Sequence, residues 1–250
     1  YDRKSFQQAA KRLNSKDFDG VLIATLFEEH AILLSEELDK KEIPYIYIDS
    51  NIQGQNDLAY FGGDSFASGR IAAKLLLKEI GVESDIYVVH IKFKHNEISV
   101  QMKTREAGFS DYLEKNAYTG NIHHIELNTD DENQSISILQ SMLENIDRVA
   151  GCIVLNSRIY ELVNVLDKIE TMSKSKLLLI GHEALDRNVK ALKENKVFTL
   201  LSQHPELQGY NAIKSLGNHL IFNEVPEKIN YMPIDILIEE NVDFYKKYKP

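Results

Sequence analysis

The stretch Tyr60-Phe-Gly-Gly-Asp-Ser-Phe-Ala-Ser-Gly-Arg-Ile-Ala-Ala-Lys-Leu-Leu-Leu-Lys-Glu-Ile-Gly81 decides how this chain is read. It predicts a short strand, a turn at Gly62-Gly63 and a helix. Asp64 or Ser65 is the natural N-cap, because a short side-chain oxygen there accepts a first-turn N–H. Ala67, Ile71, Ala72, Leu75, Leu76 and Lys78 form a helical stripe, and Gly81 ends it. Gly69 inside a helix costs about 1 kcal/mol relative to alanine. Its neighbours Ala67, Ser68, Ala72 and Ala73 are small too, so another backbone is expected to approach closely there.

Outward from this stretch the chain alternates strand and helix. Before it, a helix over 1–14 precedes strands at 21–24 and 45–48, with a helix at about 28–41 between them. After it, strands are predicted at 86–91, 122–127, 149–155, 177–180 and 198–201. Helices are predicted at 100–115, 134–145, 160–169 and 189–194, then a long one at 205–222, and an alternating edge strand at 234–238. The strands are continuous apolar runs, as in parallel strands covered on both faces. Repeated β-α order implies parallel sheets with right-handed crossovers.

Composition narrows the function. The 250 residues are 43% hydrophobic, enough for one large α/β unit or two lobes. No apolar run approaches the ~18–20 residues of a membrane span, and no secretory signal opens the chain. The formal charge of −9 argues against a nucleic-acid-binding surface, which needs basic residues to displace counterions. The one basic cluster, Lys246, Lys247 and Lys249, reads as a solvated tail. The single cysteine, Cys152, excludes an internal disulfide and fits a reducing compartment. It lies in a core strand and reads as a small buried hydrophobe.

With its flanks, the opening stretch resembles the lactose-repressor (LacI/GalR) family of bacterial regulators. Asp64-Ser65-x-x-x-Gly69-Arg70-x-Ala72 is similar to that family's Asp-Asn-x-x-x-Gly-x-x-Ala. Phe18-Asp-Gly-Val-Leu-Ile-Ala24, Ile43-Pro-Tyr-Ile-Tyr-Ile-Asp49, Thr104-Arg-Glu-Ala-Gly-Phe109, Leu179-Ile-Gly-His-Glu183 and Ser202-Gln-His-Pro205 follow in the family's order. The resemblance implies an α/β fold of two Rossmann-like lobes with parallel sheets and a ligand cleft between them, of the type I periplasmic-binding-protein kind. It places 1–81 plus 203–224 in an N-terminal lobe and 82–202 plus 225–250 in a C-terminal lobe. In the family a strand, a helix and a second strand come before the present start, and a helix-turn-helix head before those, so the chain is expected to be a fragment.

The same resemblance nominates the site. Arg105, in Arg-x-x-Gly-aromatic, matches an arginine that reaches the cleft; its fork of donors suits adjacent hydroxyls or a carboxylate. The competing reading is a surface arginine paired with Glu106 or Glu114. Glu183 stands where the family usually has aspartate, which keeps the acceptor chemistry with a longer reach. Asn156 follows a strand whose end feeds the crevice, although a turn asparagine explains it nearly as well. Ser99, Gln101 and Gln203 occupy positions near the ligand. Asp49 ends a strand and is a candidate to face the cleft, as is Asp64, which a capping role would also explain.

Other chemistry finds little support. No dinucleotide fingerprint, phosphate-binding loop or nucleophile elbow occurs. His182-Glu183 lacks the second histidine of a zinc-protease motif, Asp186 standing there instead. His90, His95, His123 and His124 show no ligand spacing in sequence, and in a strand His123 and His124 face opposite sides. The segment 128–133 is acidic but lacks the glycine and final glutamate of a calcium loop. No cofactor or metal is implied. The expectation is a cytoplasmic, homodimeric, non-enzymatic effector domain that senses a sugar and acts on operator DNA through a head outside this chain. The rivals are a sugar-binding protein of a transport system and an α/β enzyme, for which no catalytic dyad is visible.

Overall fold

A computed structural model describes residues 3–13, 18–92, 99–171, 174 and 176–247. His95, Lys249 and the two ends of the helix expected over 1–14 lie outside them. The first part comprises α1 (Arg3–Leu13), β1 (Val21–Ala24), α2 (Glu28–Lys40), β2 (Tyr45–Ile48), β3 (Ala59–Gly63) and α3 (Ser65–Ile80). The middle follows as β4 (Ile86–Lys92), α4 (Val100–Lys115), β5 (Ile122–Asn128), α5 (Glu132–Glu144), β6 (Ala150–Val154) and α6 (Ile159–Leu166). It continues with β7 (Leu177–His182), α7 (Asp186–Lys193), β8 (Thr199–Ser202) and α8 (Pro205–Phe222), then β9 (Ile229–Met232), β10 (Asp235–Leu237) and α9 (Val242–Lys247).

Two sheets result, one in each lobe. The first has the order β1-β2-β3-β9 and is parallel throughout. The second has the order β10-β8-β7-β6-β4-β5, with only β10 antiparallel, at the edge as expected. Alternation along β4 shows how the second sheet is covered. Tyr87, Val89 and Ile91 pack beneath α5 and α6, whereas Ile86 and Val88 join Phe109 and Leu113 of α4. Cys152 is fully buried, and burial pushes its thiol pKa up, so it is the inert core residue the sequence implied.

The opening stretch folds as read. Asp64 caps α3 by accepting from the Ala67 N–H at 2.9 Å, and Gly81 ends it with φ of 80°. The close approach at Gly69 is to α4: a Cβ there would lie 1.9 Å from the Arg105 carbonyl oxygen. Gly108 reciprocates, its added Cβ falling 2.0 Å from the Phe66 carbonyl oxygen. The ion pair of Arg70 with Asp111 borders this contact, and the Arg70 guanidinium lies 5.6 Å from the Tyr112 ring centre.

That contact moves the lobe boundaries. Ala72, Ala73 and Leu76 of α3 belong to the same apolar cluster as Ile86, Val88 and Ile153, so α3 lies on the second lobe. The first crossing is therefore at Gly63–Asp64, not 81. Strand β9, which the sequence did not predict, lies in the span 225–250 expected in the second lobe, yet it pairs with β3 in the first, and Met232 packs with Ala212 and Leu216 of α8. The chain returns between Met232 and Asp235. Apolar spacing in sequence marks the buried face of an element but not the lobe that covers it, which is why α3 was misplaced, and the short, mostly exposed β9 gave no apolar run to read at all.

Candidate functional site

Parallel strands deliver their C-terminal ends to one side, and here the ends of both sheets face a shared cavity of about 410 Å³. Seven of the eight residues nominated from sequence line it: Asp49, Ser99, Gln101, Arg105, Asn156, Glu183 and Gln203. Asp64 does not; its carboxylate is committed to the α3 cap. The first lobe supplies Asp49 after β2, and the second supplies Asn156 after β6 and Glu183 after β7. Ser99 caps α4, accepting from the Met102 N–H at 3.3 Å.

Arg105 is the centre of the arrangement. It is only 2% exposed, so the surface reading with Glu106 or Glu114 does not hold. One guanidinium nitrogen donates to the Leu155 carbonyl at 2.7 Å, just past β6. Another stands 3.8 Å from Glu183 Oε1, an ion pair too long for a hydrogen bond. Arg105 Nε and Glu183 Oε1 both lack a hydrogen-bond partner among the described residues. Glu183 Oε2 accepts from Ser202 at 3.2 Å, and the Ser202 hydroxyl lies 2.7 Å from that of Tyr245. Burial lowers the Arg105 pKa and raises those of Glu183 and Asp49; the attraction between the arginine and each carboxylate opposes these shifts.

Backbone strain gathers at the same place. Asp49, Glu183 and His204 have φ of 73°, 67° and 52°, a region that non-glycine residues seldom occupy. Each holds a sharp turn where a strand ends at the cleft. Around Asp49 the turn is secured by Gln101, whose amide donates to Asp49 Oδ1 at 2.9 Å. The Tyr60 hydroxyl lies 3.0 Å from the Asp49 carbonyl and 3.1 Å from that of Gly63. Around Glu183 the turn is secured by Asn188, fully buried, whose amide lies within 3.0 Å of the His182 and Glu183 carbonyls. Neither Tyr60 nor Asn188 carried a sequence signal for this role, since each acts through backbone atoms remote in the chain or in a turn.

His182 is also explained. Its Nδ1 lies 2.9 Å from the Val154 carbonyl, which can only accept, so Nδ1 carries the proton. Nε2 is then the acceptor for the Ser68 hydroxyl at 3.2 Å. Burial, and secondarily the nearby Arg105 charge, holds its pKa well below the ordinary value. It is a neutral strut between β7 and α3. Asn156 shows both of its sequence readings at once: its carbonyl accepts from the Arg158 N–H at 3.0 Å as a turn former, while its amide faces the Ile91 carbonyl at 3.2 Å. The Gln203 side chain lies over Gly63, where an added Cβ would fall 1.9 Å from Oε1.

The Asp49 environment carries a stability prediction. A carboxyl with a raised folded pKa stabilises the native state fully below its ordinary value, and that contribution is lost as pH rises through the raised value. Asp49→Asn removes the buried charge and places at φ 73° a residue that tolerates it. We expect the melting temperature of the ligand-free variant to rise by a few degrees at neutral pH. The difference should disappear below about pH 4, where the wild-type carboxyl is protonated. Thermal denaturation across that range checks it.

Two lobes that share a buried, charged and hydrogen-bonding cleft have the architecture of a binding protein for a small polar ligand. The chain belongs to the periplasmic binding protein domain family, whose profile matches residues 1–224. It is similar to a Bacteroides fragilis protein provisionally assigned as a LacI transcriptional regulator. The two are 35% identical with a TM-score of 0.88, over 98% of this chain and 84% of that one. A Burkholderia graminis transporter solute-binding protein in complex with D-arabinose has 19% identity and a TM-score of 0.80, over 97% and 82% of the two chains. The ribose import binding protein of Haemophilus influenzae is 22% identical over 80% of this chain, and the match spans 64% of that protein's length.

Proposed function

We propose that this chain is the effector-sensing unit of a LacI-type transcriptional regulator, binding a sugar or sugar derivative between its lobes. The observation that carries the ligand class is that Arg105 Nε and Glu183 Oε1 each lack a hydrogen-bond partner among the described residues, although both are buried at one cleft. Arginine offers only donors and an ionised carboxylate only acceptors, whereas a sugar hydroxyl is both, so vicinal hydroxyls satisfy the pair together. The regulator reading rests on the 35% identical relative. Effector binding would act by preferring one lobe arrangement, since a ligand that binds both equally shifts nothing. The unit would work in the cytoplasm as a two-fold dimer matching paired DNA half-sites, without transforming its ligand.

The test is a thermal-shift screen of sugars and sugar phosphates, followed by calorimetry. For a sugar that binds, Glu183→Ala should cost roughly 1.5–3 kcal/mol of affinity, the range for hydrogen bonds to charged groups. Recovery of unchanged ligand after incubation is expected; turnover would move the reading to an enzyme. Wild-type affinity in folded Glu183→Ala and Arg105→Ala variants would remove both residues from the site.

A second reading, a sugar-binding protein of a transport system, is favoured by the ribose import and D-arabinose-bound relatives. The two readings part at the DNA. Residues 1–250, with a net charge of −9, should show no specific duplex binding in a salt-titrated mobility assay. In the regulator reading the full-length protein binds an operator and loses or gains that binding with the sugar. Specific binding by residues 1–250 alone would overturn the assignment of DNA contact to a separate head. A full-length protein with no DNA affinity, or a strict monomer by light scattering, would favour the transport reading.

A further inference from the structure

We propose that His90, Glu106 and His124 form a binding site for a divalent transition-metal ion, with zinc the best-fitting class. The three residues show no common spacing in sequence, and topology brings them together. In the pairing of β4 with β5, His124 lies opposite Val88 and Glu126 opposite His90, so both histidines lie on one face of the sheet. Their ring planes are inclined by only 18°, with centres 6.0 Å apart. His123 faces the other way, stacked 4.8 Å from Tyr87 and bonded to Asp85 at 3.0 Å. Helix α4 covers the first face and brings in Glu106 from above.

The two histidine–glutamate separations suit a coordination sphere, which a small approach of the two imidazoles would close. Glu106 Oε2 is 3.5 Å from His90 Nε2, and Oε1 is 3.3 Å from His124 Nδ1. The ligand atoms of all three residues lie within 4.8 Å of one another. Zinc with bonds of about 2.0–2.2 Å in a tetrahedron separates its ligands by roughly 3.3–3.6 Å. Two imidazoles and a carboxylate match the softer first-row ions rather than magnesium or calcium, which take oxygen ligands. His90 is 5% exposed, and its other ring nitrogen, Nδ1, has no hydrogen-bond partner among the described residues. At 3.5 Å the His90 Nε2 to Glu106 separation is longer than an ordinary N–H···O hydrogen bond, so this buried imidazole is poorly satisfied by protein atoms alone. Glu126 is not needed, being paired with Lys92 at 2.7 Å.

Such an ion would clamp α4 to β4 and β5. Glu106 is the residue after Arg105, and His90 itself lines the ligand cavity, so the clamp would fix the helix that presents the guanidinium. The alternative is a carboxylate that simply accepts from two imidazole N–H groups.

The experiment titrates zinc chloride alone into the full chain, with magnesium chloride as control, followed by calorimetry and melting temperature. One equivalent should bind at micromolar concentration or tighter and raise the melting temperature, while magnesium does neither. Glu106→Gln and His124→Gln should each weaken zinc at least tenfold, and His123→Gln should leave it unchanged. Cobalt(II) added instead should give the visible absorption of a four-coordinate ion, lost in the Glu106→Gln variant. No zinc binding, or unchanged affinity in both folded variants, overturns the proposal and leaves the hydrogen-bonded arrangement.

Discussion

Arg105→Ala should abolish measurable sugar binding and also lower stability by about 3–5 kcal/mol, the range for removing one partner from a buried ion pair. Both effects have one origin. The guanidinium donates to the Leu155 carbonyl past β6 and stands against Glu183 past β7, while its charge also offsets that of Asp49 across the cleft. Truncation leaves two carboxylates in a buried site with no cation between them. Arg105→Lys separates the contributions. Its ammonium restores the charge but not the planar fork, so stability should recover in part and sugar affinity should not. Denaturant unfolding and calorimetry on the three proteins measure this. Wild-type stability in Arg105→Ala would mean that the arginine does not balance the buried carboxylates.

Gly69→Ala should destabilise the fold by about 3 kcal/mol, even though alanine is the better helix former by about 1 kcal/mol. The added carbon would meet the Arg105 carbonyl oxygen at 1.9 Å and the Phe109 nitrogen at 2.7 Å. Both are backbone atoms within α4, so no side chain can rotate aside; the two helices must separate. Because α4 carries Arg105, Gln101 and the Ser99 cap, that separation should weaken sugar binding as well. Gly209→Ala is the control: it is also helical, but apart from its chain neighbours and its own helix backbone no described atom lies within 4 Å of its added carbon, so it should be neutral or slightly stabilising. Comparison of the unfolding midpoints decides it. Equal stability of the Gly69 and Gly209 variants would show that α3 and α4 do not need their close contact.

Several features are legible in the amino-acid sequence because their causes are local. The Asp64 cap and the Gly81 terminator depend on atoms within one helical turn, and the continuous apolar strands signal burial on both faces. The opposed directions of His123 and His124 follow from strand geometry alone. The cleft residues are legible for a different reason. Asp49, Asn156, Glu183 and Gln203 each follow a strand, and strand ends in parallel sheets converge wherever the strands themselves are placed.

Sequence by itself therefore determined the α/β alternation, the parallel character of the strands and the positions of α1 to α8, with limits off by up to three residues, while β9 and α9 went unread. It also singled out the residues at the strand ends, and it marked Gly69 as a place where something must come close. Only the tertiary structure decided what comes close, namely Gly108 and the Arg105 carbonyl, and thereby moved α3 onto the second lobe. It alone assigned β9 to the first sheet, paired Arg105 with Glu183 rather than with the neighbouring Glu106 or Glu114, and gathered His90, Glu106 and His124. The division has a physical basis. Local propensity and periodicity record which face of an element is buried, whereas the partner on that face depends on the path of the chain through space. A buried charge finds its partner across the sheet, and sequence separation carries almost no information about that distance.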